Sequence, residues 1–273
     1  MIGRIKLVLS NYYGFFKKSN LYKLSKKLKI LKKTKYIVAK SYGTVFPCQY
    51  KLHGDPILKA VFEIIGRELK VTSIIETGTY VGLSTSLMAT MFPGIKIYTC
   101  EINELNYQRA RKNLKKFLNV NLYREISPKF LKWLIDSQQI GNRPFFFLDA
   151  HWLDEWPLEE EIKIISNNLI SAVIIIDDFK IPGDDRFKYD KYGTKECSID
   201  LIIPKLNKKN NYNILFPHYG REIFNDKIYH PQLSGYAIIF QNCEHDFKRI
   251  YKLHFIKKYF VNGNNHLKNL LHS

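Results

Sequence analysis

Short runs of β-branched and aromatic residues alternate along the chain with longer segments whose apolar residues recur every three or four positions. The short runs are typical of buried strands, and the longer segments are typical of helices that cover them. This order predicts an α/β fold with a doubly wound, mostly parallel sheet that ends in an antiparallel hairpin. The predicted strands are 73–75, 96–100, 120–126, 144–148, 172–176, 212–216 and 235–241, and the predicted helices are 55–69, 86–91, 104–118, 128–137, 158–170 and 198–207.

The sequence IIETGTYVGLST, residues 74–85, joins the first predicted strand to the next helix. Gly78 and Gly82 let the backbone turn sharply, and Gly82 also leaves room for a ligand to approach the backbone. Ser84 and Thr85 are suited to cap the helix, whose first amides would face that ligand. Two glycines at this spacing also occur in ordinary strand-to-helix turns, so the junction alone does not define a ligand site.

Acidic residues mark the ends of the first two predicted strands. Glu101 lies 23 residues after Gly78, close to the interval at which nucleotide-binding sheets place the acid that hydrogen-bonds a ribose. The loop lacks the GxGxxG pattern, and Glu76 stands where a pyrophosphate would need glycine-lined amides. A carboxylate there favours a cationic ligand over a dinucleotide.

Aspartates follow the fourth and fifth predicted strands. PFFFL leads to Asp149, and AVIII leads to Asp177 and Asp178. Ligands bind outside the carboxyl ends of strands in doubly wound sheets, so these acids are expected at the crevice that Glu76 and Glu101 face. Carboxylates so close together repel one another unless a cation lies between them, and an oxygen cluster suits Mg²⁺ or Mn²⁺. The alternative is that Asp149 and Asp177 only cap the loops after the strands.

The pattern ExGxxxGxST, with an acid after the second strand, resembles the class I S-adenosylmethionine-dependent methyltransferases. The resemblance covers about residues 74 to 240 and implies a Rossmann-like methyltransferase sheet that binds S-adenosyl-L-methionine. It implies that Glu76, Gly78 and Gly82 hold the methionine end of the cofactor and that Glu101 binds its ribose. The full set of implied cofactor residues is Glu76, Gly78, Thr79, Tyr80, Gly82, Ser84, Thr85, Glu101, Ile102 and Ser127.

Two further motifs, LDAHW and IIIDDFKIPG, resemble the strand ends of cation-dependent O-methyltransferases of the catechol and macrolide-sugar types. This resemblance implies that Asp149, Asp177 and Asp178 bind Mg²⁺ or Mn²⁺. Such an ion lowers the pKa of the acceptor hydroxyl.

The general base is not specified by these motifs. The catechol enzymes carry a lysine in a DHWK motif, but Leu153 stands in the matching position here. His151, Lys180 and His218 are therefore the candidate bases, and Asp149 completes the predicted catalytic set. His151 is equally a candidate metal ligand or a structural histidine.

A polar insert, PGDDRFKYDKYGTKEC, follows the fifth strand, where the methyl acceptor is expected. Tyr189 and Tyr192 in the insert and Arg221 further on are the predicted acceptor-binding residues, although a solvated loop is the alternative. The expected acceptor is a sugar, a glycoconjugate precursor or another small hydroxylated metabolite. Ser127 follows the third strand, but adenine recognition stays unassigned.

Positive charge is concentrated at the start of the chain. The net charge is +18, and residues 1–54 hold 13 Lys or Arg and no acid, whereas the other 219 residues hold 30 basic and 25 acidic residues. Leucines at helical spacing between residues 21 and 31 predict an amphipathic basic helix. This leader could contact an anionic membrane surface, bind nucleic acid or pack on the catalytic domain.

The chain divides into a basic leader and connector (1–54), a methyltransferase domain (55–243) and a basic tail packing on it (244–273). Four separated cysteines form no CxxC pair, and no apolar run reaches the roughly 20 residues of a membrane span. We therefore expect a cytoplasmic protein, either free or peripheral at the inner face of a membrane through residues 1–40. Nucleic acid is disfavoured as a partner, although a nucleic-acid methyltransferase and a non-catalytic binding protein remain alternatives. Whether the chain is a monomer or a homo-oligomer is left open.

Overall fold

The computed structural model describes residues 52–151, 156–223 and 233–271, with side chains as far as residue 267. The predictions for the basic leader, and for Leu153, therefore lie outside the described residues. Within those ranges the chain forms one eight-stranded sheet with flanking helices and a separate two-stranded hairpin. No helix in them is long and apolar enough to cross a membrane.

The large sheet has the order β10-β8-β9-β5-β4-β1-β2-β3. Its five strands β1 to β5 pair in parallel, whereas β9 is antiparallel to both β5 and β8, and β10 is antiparallel to β8. This is the doubly wound, Rossmann-like arrangement that the alternation of strands and helices predicts. The strands are β1 Ser73–Thr77, β2 Lys96–Cys100, β3 Val120–Tyr123, β4 Pro144–Leu148, β5 Ala172–Ile176, β6 Lys191–Tyr192, β7 Lys195–Glu196, β8 Tyr212–Pro217, β9 Ala237–Gln241 and β10 Phe260–Asn262.

The helices precede the first of these strands, connect them or follow the last of them in the chain. They are α1 Pro56–Glu68, α2 Leu83–Met91, α3 Glu104–Leu114, α4 Ser127–Asp136, α5 Leu158–Asn168, α6 Ile199–Ile202, α7 Glu244–Tyr251, α8 His254–Tyr259 and α9 Asn264–Leu271. Asp55 caps α1: its carboxylate accepts hydrogen bonds from the amides of Ile57 (2.7 Å) and Leu58 (3.0 Å).

The centre of the core lies between β4 and α1. Phe145 and Phe147 of β4 are fully buried, and their rings lie 5.2 and 5.1 Å from that of Phe62 on α1. Burying one such side chain contributes about 1.5 to 3 kcal/mol. All five residues of β5 are also buried, so both strands that end in the aspartates lie within the core.

The tail was predicted to pack on the domain, with no strand in it. It contains α7, α8, β10 and α9, and β10 pairs with β8 through Val261 opposite Phe216. A three-residue strand between two helices gives no periodic signal in the sequence, which is why it was missed. The tail therefore extends the sheet as well as packing on it.

Several other elements also differ from prediction at their bounds. β3 ends at Tyr123 rather than at residue 126, and α3 ends at Leu114 rather than at residue 118. The predicted helix 198–207 is a short α-helix followed by a 3₁₀ turn, Ile203–Lys205, because Pro204 cannot continue an α-helical hydrogen-bond ladder.

A buried chain of hydroxyls links the first helix to the last strands. The Tyr219 hydroxyl, just after β8, donates to the Asp55 carboxylate at 2.5 Å and lies 2.9 Å from the Tyr236 hydroxyl, just before β9. All three residues are buried. The start of α1 is therefore held against the end of the sheet that carries the aspartates.

We predict that Tyr219→Phe lowers the free energy of unfolding by about 1 to 3 kcal/mol, because two buried polar groups lose a partner. Urea unfolding followed by circular dichroism measures the change. Tyr251→Phe on α7, whose ring stacks on Phe247, is the matched control and should change stability less. Equal losses in both variants would contradict a structural role for the hydroxyl chain.

Candidate functional site

Four neighbouring strands end at the same level of the sheet. Thr77 of β1 lies opposite both Cys100 of β2 and Leu148 of β4, and Leu148 lies opposite Ile176 of β5. The next residues are Gly78, Glu101, Asp149 and Asp177. Their amides extend the parallel ladder, each donating to a neighbouring strand over 3.0 to 3.2 Å. The predicted convergence of the strand ends is therefore present.

The loop between β1 and α2 passes very close to the end of β4. Gly78 has φ +84°, and a Cβ there would overlap the carbonyl of Asp149. Gly82, also with positive φ, is the N-cap of α2, which has no side-chain cap. The helix therefore presents free amides towards the loop. Tyr80 lies between the two glycines with φ +51° and its side chain about half exposed.

Glu76 is enclosed by the protein rather than exposed to a ligand. Its carboxylate accepts hydrogen bonds from the hydroxyls of Ser84 (2.5 Å), Thr85 (2.5 Å) and Thr99 (2.6 Å). Burial raises the pKa of Glu76, and these hydroxyls oppose the rise. Ser84 and Thr85 were expected to cap α2, but their hydroxyls bind Glu76 instead. Glu76 thus fixes α2 on the sheet.

Thr79 is also enclosed. Its hydroxyl lies 2.5 Å from that of Thr99, and its side chain is buried. Of the predicted cofactor residues in this loop, Glu76 and Thr79 can therefore act on a ligand only by shaping the backbone around Tyr80 and Gly82.

Glu101 is held rigidly at the end of β2. One carboxylate oxygen accepts the Tyr80 amide at 2.7 Å, and the other accepts the Asn103 amide at 2.8 Å. Burial raises the pKa of Glu101, and these amides oppose the rise. Each oxygen keeps a lone pair for a further donor. Ile102, next in the chain, is 43% exposed, so an apolar surface adjoins the carboxylate.

A buried carboxyl lies under the same edge of the sheet. Glu161 on α5 is wholly buried and faces the hydroxyls of Ser127 and Thr77, but none of these groups makes a hydrogen bond of ordinary geometry within the described chain. Burial raises the pKa of Glu161 to about 7, and the two hydroxyls oppose the rise. Ser127, one of the implied cofactor residues, is thus 6% exposed and faces Glu161.

The three predicted metal-binding aspartates lie together after β4 and β5. The side chain of Asp177 is almost inaccessible, whereas those of Asp149 and Asp178 are about a quarter and a fifth exposed. Burial raises the pKa of Asp149 to about 7 and that of Asp178 to about 6. Asp178 has φ +47°, a left-handed backbone conformation that is strained for a residue other than glycine.

His53, just before α1, also reaches this cluster. Its Nε2 lies 2.9 Å from Asp177 Oδ2 and 3.9 Å from Asp178 Oδ1. The charge of Asp177 raises the pKa of His53 to about 10. The described end of the connector, residues 52–54, thus contacts the acids through His53.

His151 lies on the other side of the aspartates. Its Nε2 is 3.6 Å from Asp149 Oδ1, and its Nδ1 is 2.9 Å from both Asp190 Oδ2 and the Tyr192 hydroxyl. Hydrogen bonds to Asp149, the larger cause, and to Asp190 raise the pKa of His151 to about 12. Two trios therefore have candidate ligand atoms within 4.8 Å of one another, and they share Asp178: His53, Asp177 and Asp178, and Asp149, His151 and Asp178.

The insert after β5 forms the hairpin of β6 and β7, and main-chain hydrogen bonds attach it to the site. The Asp190 amide donates to the Asp178 carbonyl at 2.9 Å, and the Lys180 amide donates to the Cys197 carbonyl at 2.6 Å. Tyr192 thereby lies beside His151, with its ring 5.4 Å from that of Trp156. The insert is thus an ordered wall of the site.

The remaining predicted catalytic and acceptor residues are Lys180, Tyr189, His218 and Arg221. Lys180 Nζ is 2.6 Å from Glu196 and lies over the Tyr189 ring at 5.2 Å. The hydroxyl of Tyr189 also bonds Glu196. His218 is exposed after β8, and Arg221 lies on a 3₁₀ turn three residues later. In this structure Lys180 is bound as a cation, which disfavours it as a base.

Three site residues were missed by the sequence analysis: His53, Asp190 and Glu161. His53 is 124 positions from Asp177, so no local pattern connects them. Asp190 is one of several acids in a polar insert, and Glu161 is the third glutamate of an EEE run that resembles an exposed helical turn. The apolar residues around Glu161, LEEEIKII, were the one available signal of its burial.

Comparison with known proteins gives similarity in structure alone. No family model and no curated protein matches the chain. Among solved structures, a candidate caffeoyl-CoA O-methyltransferase from Staphylococcus aureus is 14% identical with a TM-score of 0.44, and covers 81% of this chain and 97% of its own. The O-methyltransferase TomG from Streptomyces achromogenes, in complex with SAM, is 14% identical with a TM-score of 0.46, over 68% of this chain and 79% of its own. An O-methyltransferase from Bacillus cereus, in complex with SAH, is 18% identical with a TM-score of 0.44, over 68% and 81%.

We predict that Glu161→Gln stabilises the protein at pH 8 and has little effect at pH 5. The folded-state pKa of about 7 lies above the ordinary 4.5, so the folded state holds the proton more tightly, and stability falls as pH rises from about 4.5 to 7. Glutamine cannot ionise, so at pH 8 the variant should gain at most about 3 kcal/mol. Urea unfolding at the two pH values measures the difference.

The control for this prediction is Glu160→Gln, since Glu160 is exposed and only pairs with Lys163. It should show no comparable pH dependence. A Glu161→Gln variant that is less stable than the parent at pH 8 would mean that the buried carboxylate is ionised and bound by a cation.

Proposed function

We propose that the protein is an S-adenosylmethionine-dependent O-methyltransferase that uses a divalent cation and acts on a sugar, a glycoconjugate precursor or another small hydroxylated metabolite. The observation that carries the proposal is the common level of four strand ends, which sets Glu101 and the Gly78 loop beside Asp149 and Asp177. A nucleoside cofactor and a cation at adjacent strand ends would meet over one crevice.

The β1–α2 loop and Glu101 suit the two polar ends of such a cofactor. Glu101, with both oxygens fixed by backbone amides, would accept hydrogen bonds from the ribose hydroxyls. The uncapped amides of α2 would receive the carboxylate of the methionine end, and Glu76 would hold that helix in place. The exposed Tyr80 and Ile102 would flank the adenosine. When bound, the cofactor supplies an electrophilic methyl group on sulfur.

The donor atoms near β4 and β5 suit a cation. Asp149, Asp177 and Asp178 carry acidic oxygens within the two trios whose ligand atoms lie within 4.8 Å of one another, and such carboxylates repel one another without a positive charge between them. A bound divalent cation would supply Lewis acidity that lowers the pKa of an acceptor hydroxyl.

The residues around the crevice would orient the acceptor. Tyr192 and Trp156 form an aromatic pair next to His151, and aromatic faces suit the apolar faces of sugar rings as well as flat metabolites. Positioning an acceptor oxygen in line with a methyl group provides a large part of the acceleration of such a transfer.

The test is calorimetric titration of S-adenosylmethionine into the full chain, together with a methyl-transfer assay on hydroxylated sugars with and without EDTA. We expect micromolar cofactor binding and turnover that EDTA abolishes and Mg²⁺ or Mn²⁺ restores. Absence of cofactor binding would contradict the methyltransferase proposal. Turnover unaffected by EDTA would contradict only the role of the cation.

We predict that Glu101→Gln weakens binding of S-adenosylmethionine about tenfold or more, because hydrogen bonds to a charged acceptor contribute about 1.5 to 3 kcal/mol. Calorimetry measures the affinity, and thermal unfolding checks that the fold persists. Glu104→Gln is the matched control, since Glu104 lies on α3 and pairs with Arg124 at 2.6 Å. Unchanged affinity in Glu101→Gln would show that Glu101 does not bind the ribose.

A further inference from the structure

We propose that His53 and His151 are ligands of the divalent cation together with the aspartates, so that the site has mixed nitrogen and oxygen ligands and binds Mn²⁺ in preference to Mg²⁺. The inference rests on the proposed function in assuming a cation at this edge. Its test, however, measures cation binding and does not depend on methyl transfer.

His151 has the orientation of a metal-ligating histidine. Its Nδ1 lies 2.9 Å from Asp190, and its Nε2 is turned to Asp149 at 3.6 Å. A carboxylate that accepts the N–H of one ring nitrogen fixes the ring and directs the lone pair of the other nitrogen, and this pairing accompanies most histidine ligands in metal sites. The Tyr192 hydroxyl, also 2.9 Å from Nδ1, further restrains the ring.

His53 is brought to the same cluster by an anchored segment. Leu52 before it is buried, and the Asp55 amide after it donates to the Leu52 carbonyl at 2.9 Å. Asp55 is itself held by the Tyr219 hydroxyl at 2.5 Å. Three consecutive residues, 52–54, have positive φ, and the neighbouring contacts are what keep this costly conformation. Its result is that Nε2 of His53 faces Asp177 and Asp178.

The spacing of these atoms fits one coordination shell. Adjacent ligand atoms of an octahedral ion with bonds of about 2.1 Å lie about 3.0 Å apart, and opposite ones about 4.2 Å apart. The measured separations are 2.9 Å from His53 to Asp177, 3.9 Å from His53 to Asp178 and 3.6 Å from His151 to Asp149. Rotations of the partly exposed side chains of His53, His151, Asp149 and Asp178 would bring their ligand atoms into a shell with the buried Asp177.

Glu161 provides an independent observation from the protein interior. It lines the same small cavity as Asp149, Asp178 and His151, is wholly buried, and neither of its oxygens has a hydrogen bond or an ion pair within the described chain. An enclosed carboxyl whose oxygens make no hydrogen bond within the described chain is better tolerated beside a bound cation than without one.

The ligand types determine which cation is preferred. Mg²⁺ takes oxygen ligands almost exclusively and keeps much of its water, whereas imidazole suits first-row transition ions. Two imidazole nitrogens among carboxylates should therefore raise the affinity for Mn²⁺ more than that for Mg²⁺.

The experiment measures binding of Mn²⁺ to the full chain after EDTA treatment and desalting. Free Mn²⁺ is followed by room-temperature EPR, and the bound ion is probed for ¹⁴N coupling by pulsed EPR. We expect one bound Mn²⁺ with ¹⁴N coupling, and competition by Mg²⁺ only at more than tenfold higher concentration. His53→Ala and His151→Ala should each weaken Mn²⁺ binding about tenfold or more, and the double variant should lose the ¹⁴N coupling.

Asp190→Asn tests the orientation of His151 without removing a ligand. It should weaken Mn²⁺ binding at least tenfold, because partners that orient a ligand typically contribute 10- to 100-fold in affinity, while the ¹⁴N coupling persists. His245→Ala, an exposed histidine on α7, is the control and should leave both readouts unchanged. Thermal unfolding of each variant identifies any that fail to fold.

Two results would overturn the inference. Bound Mn²⁺ without ¹⁴N coupling would show a site of oxygen ligands only. Equal Mn²⁺ affinity in the parent and the double variant would show that neither histidine is a ligand. Calorimetry with S-adenosylmethionine on the same samples separates the two proposals. Cofactor binding without Mn²⁺ binding contradicts this inference and leaves the methyltransferase without its proposed cation, whereas Mn²⁺ binding with ¹⁴N coupling but no cofactor binding contradicts only the methyltransferase.

Discussion

The parallel pairing of β2, β1, β4 and β5 is the constraint on which the site depends. Each strand is nearly or wholly buried, and their shared register brings the residues after them to one line. Adjacent strands lie about 4.8 Å apart, so acids that are distant in sequence must be neighbours. A shift of one residue in any strand would turn its core residues towards the opposite face. The hydrophobic core therefore fixes the arrangement of charges at the edge.

Electrostatic repulsion among those acids is balanced locally in two different ways. Glu76 is surrounded by hydroxyls, and Glu101 is bound by backbone amides, so neither needs a counter-ion. The aspartates after β4 and β5 are instead paired with imidazoles from outside the strands. Hydrogen bonds thus hold the acids of β1 and β2 in place, while contacts with imidazole nitrogens do so for the acids of β4 and β5.

Much of the sheet and its acidic edge could be predicted from the sequence. The runs PFFFL and AVIII are unbroken apolar segments of strand length, and the aspartates follow them immediately. Strand β10 could not be predicted, because three residues beside a helix carry no periodic pattern. His53 could not be placed either, since its approach to Asp177 depends on the tertiary contacts of Asp55 and Tyr219. Glu161 was hidden in an acidic run, where only tertiary packing distinguishes the buried residue from its exposed neighbours.

The hairpin of β6 and β7 is attached to the site through main-chain atoms. Asp190 and Asp178, and Lys180 and Cys197, are joined by amide-to-carbonyl hydrogen bonds, which almost any side chains permit. A residue at its exposed turn, such as Thr194, can consequently vary without breaking these bonds. Proteins that share this sheet edge could diversify in the compounds they accept by changing this one short segment, while the strand tips stay the same.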